Sequence, residues 1–295
     1  MEQPRPPGME QLRPTSADGT VVHGWVRGTG RAVLIANGLG SGAAAWPAVV
    51  GEDTGYRAAG WHYRGLAGSP RPRDERHISV DHHVDDAVAV MDAADMSRAL
   101  VVAWSVGVNV AFELALRHPD RVAGILAVSG VPGGTFGAMF APARLPTPMR
   151  HGVGVAAARV LRGVGPALGA VSRRVEPTPQ LVRRLARLGV VDRAVDVETM
   201  RATLDGFARH DFRWYFTLAL GIARHRAMDL HDFPVPTLFV TGRKDMLASA
   251  DDVAKAAAAV PGAELEVVAG THYLPLEQPE LVRELLSQLA ARCAV

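Results

Sequence analysis

Residues 100–120 read LVVAWSVGVNVAFELALRHPD, and the joint Ala103-Trp104-Ser105-Val106-Gly107 inside them decides how the whole chain is read. The run 100–104 is continuously apolar, as expected of a strand buried on both faces of a sheet. Over 106–116 apolar side chains recur at helical spacing until His118-Pro119 stops the pattern. A strand feeding straight into a helix through small-x-Ser-x-Gly holds its serine on a strained turn, so the residues two positions either side must be small. That turn lifts the hydroxyl out at the carboxyl end of the sheet. It also leaves the N–H of Val106 free at a helix start, where negative charge is favoured. Ala103 occupies the first small position, one methyl larger than glycine. In isolation the pentapeptide also describes an ordinary turn with a capping serine. Its place on a strand–helix joint selects Ser105 as a nucleophile.

A serine hydroxyl needs a base near neutral pH, and an imidazole base needs a carboxylate to fix its tautomer. In a parallel sheet both must come from loops at the carboxyl ends of strands. Asp245 follows a strand pattern at 237–241, in Gly242-Arg243-Lys244-Asp245, and His272 follows another at 265–268, in Ala269-Gly270-Thr271-His272-Tyr273. A carboxylate in such a turn is often only a loop-forming residue. Asp251 and Asp252 fall inside the next helical pattern and read as solvent-facing or capping. His82 and His83 read as the polar face of a helix over 79–94, His118 as a helix end, and His225 and His231 as part of the middle of the chain. The second oxyanion donor is expected from Asn37-Gly38-Leu39-Gly40, at the N–H of Leu39, with that of Val106 as the first. The same turn lacks dinucleotide spacing and a phosphate-binding lysine, which sets a nucleotide site aside.

Working outward, strand patterns at 20–26, 31–36, 56–62, 100–104 and 121–128 alternate with helical ones, predicting a mostly parallel sheet covered by helices on both faces. Strand–helix order resumes with 237–241, 250–259, 265–268 and 281–292. Between 133 and 232 only helical segments are found. The expected organisation is a polar, proline-rich leader over 1–17, one α/β core over 18–132 and 233–295, and a helical insertion over 133–232.

Charge and composition narrow the function classes. The 295 residues carry a formal net charge of +2, too little to argue for nucleic acid. The N-terminal stretch lacks the apolar core of a signal peptide, and no apolar run is long enough to span a bilayer. Cys293, the single cysteine, leaves no intrachain disulfide, so a reducing cytoplasm is the expected compartment. No motif asks for a cofactor or a metal.

With these residues in hand, the chain resembles the α/β-hydrolase superfamily, specifically its capped esterase, lipase and peroxidase-like members. Four features carry the resemblance: Asn37-Gly38-Leu39-Gly40, Tyr63-Arg64-Gly65-Leu66-Ala67-Gly68-Ser69, the Ser105 joint, and the Asp245 and His272 loops. It extends from about residue 20 to the C-terminus, with the insert matching only in position. It implies a Ser105–His272–Asp245 triad and a helical cap over the site, and Ser105 disfavours the members with an aspartate nucleophile, such as dehalogenases and epoxide hydrolases. Asn37 stands where the family often has histidine. His62 stands where it usually has an aspartate near the arginine, which leaves the salt bridge of Arg64, read as structural, without its usual partner.

The resulting expectation is a serine hydrolase that cleaves carboxylic esters, an esterase or acylglycerol lipase, through an acyl-enzyme. Carbon–carbon bond hydrolysis or perhydrolysis by the same triad is the alternative, and a non-catalytic binding protein a third reading. Asn37, Gly38, Trp104, Trp214 and Tyr273 are expected at the substrate pocket, with Val153, Val155, Leu161, Leu168, Phe216 and Leu218 as its apolar wall or as packing. The partner is a small, hydrophobic ester or acyl substrate, without stable membrane insertion. Arg173, Arg174, Arg183, Arg184 and Arg187 outnumber nearby acids and suit a membrane surface, an anionic substrate or plain solvent.

Overall fold

Apolar side chains at every position of a strand require packing on both faces, and the central strands meet that requirement. The computed structural model describes residues 8–139 and 145–293. Its strands are β1 (Glu10–Leu12), β2 (Gly24–Arg27), β3 (Arg31–Ala36), β4 (Tyr56–Trp61), β5 (Ala99–Trp104), β6 (Val122–Val128), β7 (Thr237–Gly242) and β8 (Glu264–Val268). They form one sheet in the order β1-β2-β4-β3-β5-β6-β7-β8. The β1–β2 and β2–β4 pairs are antiparallel, and every other pair is parallel. This is the expected α/β class.

The helices are α1 (Pro47–Val50), α2 (Val80–Ala93), α3 (Gly107–Arg117), α4 (Thr135–Ala138), α5 (Thr147–Ser172), α6 (Pro179–Arg187), α7 (Val197–Ala208), α8 (Phe212–Ile222), α9 (Ala250–Ala259), α10 (Leu274–Glu277) and α11 (Pro279–Arg292). Successive strand residues point to opposite faces. Leu34 and Ala36 of β3 pack into the core shared with α2, α3 and α9. Val33 and Ile35 pack into the one shared with α1 and α11. Each fully buried leucine, isoleucine or valine stabilises the fold by about 1.5–3 kcal/mol.

The strand order reverses at β3, which has β4 on one side and β5 on the other. The loops leaving β3 and β5 therefore diverge and open a crevice at the carboxyl edge, the usual binding position in open α/β sheets. Helices α4–α8 all lie between β6 and β7. Three of them begin on side-chain caps, with Thr178, Asp196 and Asp211 accepting from Leu181, Thr199 and Trp214 N–H groups. Each such cap contributes about 1 kcal/mol.

The leader expected over 1–17 is shorter than read. Glu10–Leu12 forms β1 against β2, and Ser16 is buried and accepts from Arg64. Three residues of edge strand carry too weak a pattern to be recognised alone. Residues 1–7 lie outside the described residues.

Arg64 is fully buried, and its carboxylates come from elsewhere in the chain rather than from position 62. Asp86 of α2 meets it at 2.6 Å and Asp18 at 2.6 Å. Burial works to raise the Asp86 carboxyl, yet hydrogen bonds from His83 and Arg64 hold it below the ordinary carboxylate range. His83, expected on a polar helix face, is instead fully buried beside Asp86. His83 and Asp86 of α2 thus lie toward a buried cation, where periodicity alone reads solvent.

Candidate active site

Ser105 sits at the β5–α3 joint with φ +56°, a left-handed conformation costly for a side-chain-bearing residue. Its own N–H is used in the sheet, donating to the Val128 carbonyl at 3.0 Å. Gly107 explains the small position that follows: a Cβ there would lie 2.0 Å from the Ala36 carbonyl oxygen. The chain passes so close to β3 that only glycine fits.

His272 Nε2 lies 3.0 Å from Ser105 Oγ. Its Nδ1 lies 2.9 and 3.0 Å from the two Asp245 oxygens. A carboxylate only accepts, so Nδ1 carries the proton and Nε2 is left as the acceptor for the serine hydroxyl. Asp245 is 5% exposed, and its Oδ1 also accepts the N–H groups of Leu247 and Ala248 at 2.8 Å each. The loop carrying His272 is held from two sides. Trp104 Nε1 donates to the His272 carbonyl at 2.8 Å, and buried Glu277 accepts from the N–H and hydroxyl of Thr271 at 2.8 and 2.5 Å.

The Asn37-Gly38-Leu39-Gly40 loop lies across from Ser105 and shares a cavity with it. No hydrogen bond among the described residues takes up the N–H of Leu39 or of Val106. Two free backbone donors next to a hydrogen-bonded Ser–His–Asp chain can stabilise a negative oxygen as it develops.

The cavity over Ser105 measures about 380 Å³, within the ordinary range for small-molecule sites. Its floor is Gly38, Leu39, Trp104, Ser105, Val106 and Tyr273, and its roof comes from α5, α7 and α8. Apart from His272, no ionisable group other than the phenols of Tyr215 and Tyr273 lines it among the described residues. Burial raises both phenols above their ordinary range, so they remain protonated donors.

Two residues expected at the pocket are not there. Asn37 is 1% exposed and faces the core, where its side chain donates to the Trp61 carbonyl at 3.2 Å and accepts from Trp46 Nε1 at 2.8 Å. It holds the loop from behind. Trp214 is buried with Nε1 donating to the Arg64 carbonyl at 2.7 Å, and Arg71 stacks on its ring. The phase of α8 decides this: Trp214 and Leu218 turn to the core while Tyr215, Phe216 and Ala219 line the cavity. Of the other insert residues, Leu161 lines it, Val155 packs against the core, and Val153 and Leu168 are exposed. Asp252 is not solvent-facing either; it pairs with Arg150 of α5 at 2.6 Å.

Several residues around the site escaped the sequence reading. His210, between α7 and α8, donates from Nε2 to the Gly40 carbonyl at 2.8 Å. Asn109 of α3 bonds to Thr135 and to the Gly133 N–H, fixing the start of the insert. Glu277 reaches the Asp192 N–H at 2.7 Å and so joins the His272 loop to the insert. Asn109, a polar residue among the apolar positions that open α3, was the one available signal among them.

The model of the alpha/beta hydrolase fold family matches residues 31–279, most of the chain. The chain belongs to that family. Over 110 residues the chain is 36% identical to a Caulobacter segnis protein named as a carbamate hydrolase, RutD, a stretch covering 37% of this chain and 41% of that protein. Over 100 residues it is 34% identical to epoxide hydrolase B of Mycobacterium tuberculosis, covering 31% of this chain and 28% of that protein. The matches thus span about two fifths or less of these relatives. The crystal structure of a hydrolase from Pseudomonas aeruginosa shares the fold of this chain, with a TM-score of 0.69 and 20% identity, covering 97% of this chain and 99% of that one. No helix among the described residues is long and apolar enough to cross a membrane.

Proposed function

We propose that this hydrolase cleaves esters of hydrophobic carboxylic acids through a covalent acyl-enzyme on Ser105. The observation that carries the reading is the unbroken chain of hydrogen bonds from Asp245 through His272 to Ser105, ending in an apolar cavity. Ser105 Oγ attacks the acyl carbon while His272 Nε2 takes its proton. The carbonyl oxygen becomes an oxyanion between the N–H groups of Leu39 and Val106. The intermediate collapses as His272 returns the proton to the departing alcohol. Water then enters, and His272 deprotonates it as it adds to the acyl carbon between the same oxyanion donors. Collapse breaks the acyl–Oγ bond as His272 returns the proton to Ser105 and the acid leaves. Asp245 keeps the imidazole in the required tautomer and stabilises its charged form. Helices α5–α8 act as a cap that excludes water and shapes the acyl site.

Carbon–carbon bond hydrolysis of a dicarboxylate substrate fits less well, because no arginine or lysine lines the cavity among the described residues to receive a second carboxylate. The carbamate reading suggested by the name of a relative uses the same triad and is separated by substrate alone. The test is hydrolysis of a p-nitrophenyl ester series from acetate to palmitate. Turnover by the wild type and its loss in Ser105→Ala is the expected result. A folded wild type without turnover on any member contradicts the ester reading.

A further inference from the structure

Large apolar side chains left in solvent are unevenly distributed on this protein. Most of those among the described residues fall within 149–190, on α5 and just after α6. On α5 they are Met149, Val153, Val160, Val164, Leu168 and Val171, from 37% to 65% exposed. Their separations of three, four and seven residues place them along one side of the helix, about 33 Å long at 1.5 Å per residue. Ala156 and Ala167, also exposed, fall on the same side and widen the apolar surface. The face turned to the protein is a different one, marked by buried Gly154, Ala158, Gly165 and Gly169. Helix α5 therefore has two apolar faces, and its partner in the fold covers one of them.

The charge carried by residues 149–190 is one-sided. Arg159, Arg162, Arg173, Arg174, Arg183, Arg184 and Arg187 are all exposed, against Glu176 as the one acid between 149 and 190. None of the seven takes part in an ion pair among the described residues. A second copy of the chain on the same face would bring the arginines of α5 and of its C-terminal end against each other. An anionic lipid surface accepts the apolar side chains between its headgroups and neutralises the arginines together.

We propose that α5 is an interfacial helix that docks this protein on an anionic phospholipid bilayer, lying in the plane of the surface without spanning it. Further round the same helix, Ala157, Ala158 and Leu161 line the cavity over Ser105. Docking would thus set the acyl site beside the bilayer, a consequence that rests on the ester-hydrolase reading, whereas the docking itself does not.

The experiment is co-sedimentation of the full chain with vesicles of phosphatidylcholine alone and of phosphatidylcholine mixed with phosphatidylglycerol in equal parts. At low salt, binding to the mixed vesicles is expected to exceed binding to the neutral ones about tenfold or more, and to weaken as salt is raised. Val160→Asp, at the most exposed stripe position, is expected to lower that binding about tenfold. The double change Arg159→Glu with Arg162→Glu, on α5 itself, is expected to lower it similarly while leaving the stripe intact. Ser105→Ala is expected to bind as the wild type does, which separates docking from catalysis. Equal binding to both vesicle types, or unchanged binding by both variants, overturns the proposal. So does a wild-type dimer in sedimentation equilibrium that Val160→Asp dissociates, because the stripe then belongs to a second copy.

Discussion

His210 Nε2 donates to the carbonyl of Gly40 at 2.8 Å, one residue beyond Leu39, and so fastens the loop of the proposed oxyanion donor to the segment joining α7 and α8. Gly40 has φ +80°, and a Cβ there would meet His210 Nε2 and Tyr215 at 3.0 Å, so the loop lies directly under both rings. Removing the imidazole leaves a carbonyl without its partner, at a cost of about 1–3 kcal/mol. If that cost falls on the transition state, the rate drops roughly 10- to 100-fold. His210→Leu should therefore lower kcat by this factor with a smaller change in KM, and His210→Gln, which keeps an N–H donor, should recover most of it. Steady-state kinetics of the two variants checks this.

The same histidine has a pH signature. Burial pushes its imidazole below the ordinary histidine value. The unfolded chain then takes up the proton first, so the contribution is neutral above about pH 6.5 and stability is lost as pH falls beneath it. Melting temperatures at pH 7.5 and pH 5 should differ less for His210→Gln than for the wild type. An identical difference in both would contradict a buried neutral His210.

The Arg64–Asp86–Asp18 network makes a second acid prediction, of the same sign but in a lower pH window. Both carboxyl groups are held low, so their contribution is complete above the ordinary aspartate value near 4 and is lost as pH falls through their depressed folded values. Asp86→Ala leaves a fully buried guanidinium short of its main partner, which should cost about 3–5 kcal/mol in urea unfolding. A loss below 1 kcal/mol would mean that Asp18 and the surrounding carbonyls suffice.

What could be read from the residues was what depends on local crowding and strand–helix alternation. Ala103 and Gly107 mark a turn that tolerates nothing large, and the apolar runs at β3, β5, β6 and β7 can only be buried strands. Ser105, Asp245 and His272 could be nominated because each follows a strand in a sheet whose carboxyl ends converge. Partners set by three-dimensional packing were not legible. His83 and Asp86 look like a solvated helix face until Arg64 is seen beneath them. The same is true of Asn37, whose amide turns away from the cavity, and of Trp214, which the phase of α8 carries to the core. His210 reaches Gly40 across 170 residues, a separation for which no spacing rule exists.

The elbow itself predicts an asymmetry. Ala103→Gly removes a methyl from a fully buried site beside the turn and should leave ester turnover within a few-fold. Gly107→Ala places a methyl 2.0 Å from the Ala36 carbonyl oxygen and should abolish activity together with cooperative unfolding. Circular dichroism and turnover on the two variants distinguish these outcomes.

Cavity shape should set acyl selectivity. Ala158 and Leu161 both line the cavity from α5. Ala158→Phe should shift the preferred p-nitrophenyl ester toward shorter acyl chains, and Leu161→Ala toward longer ones, each by changes of roughly 10-fold in relative kcat/KM. Parallel loss across all chain lengths would place these residues outside the acyl site.

The central claim is that Ser105 is a nucleophile activated by His272. Its most direct test is the intact mass of the protein after treatment with a fluorophosphonate, followed by peptide mapping, for the wild type, Ser105→Ala and His272→Ala. The account predicts one adduct, on Ser105, absent from Ser105→Ala and formed far more slowly in His272→Ala. A folded wild type that stays unlabelled, or an adduct that persists when Ser105 is alanine, would contradict it.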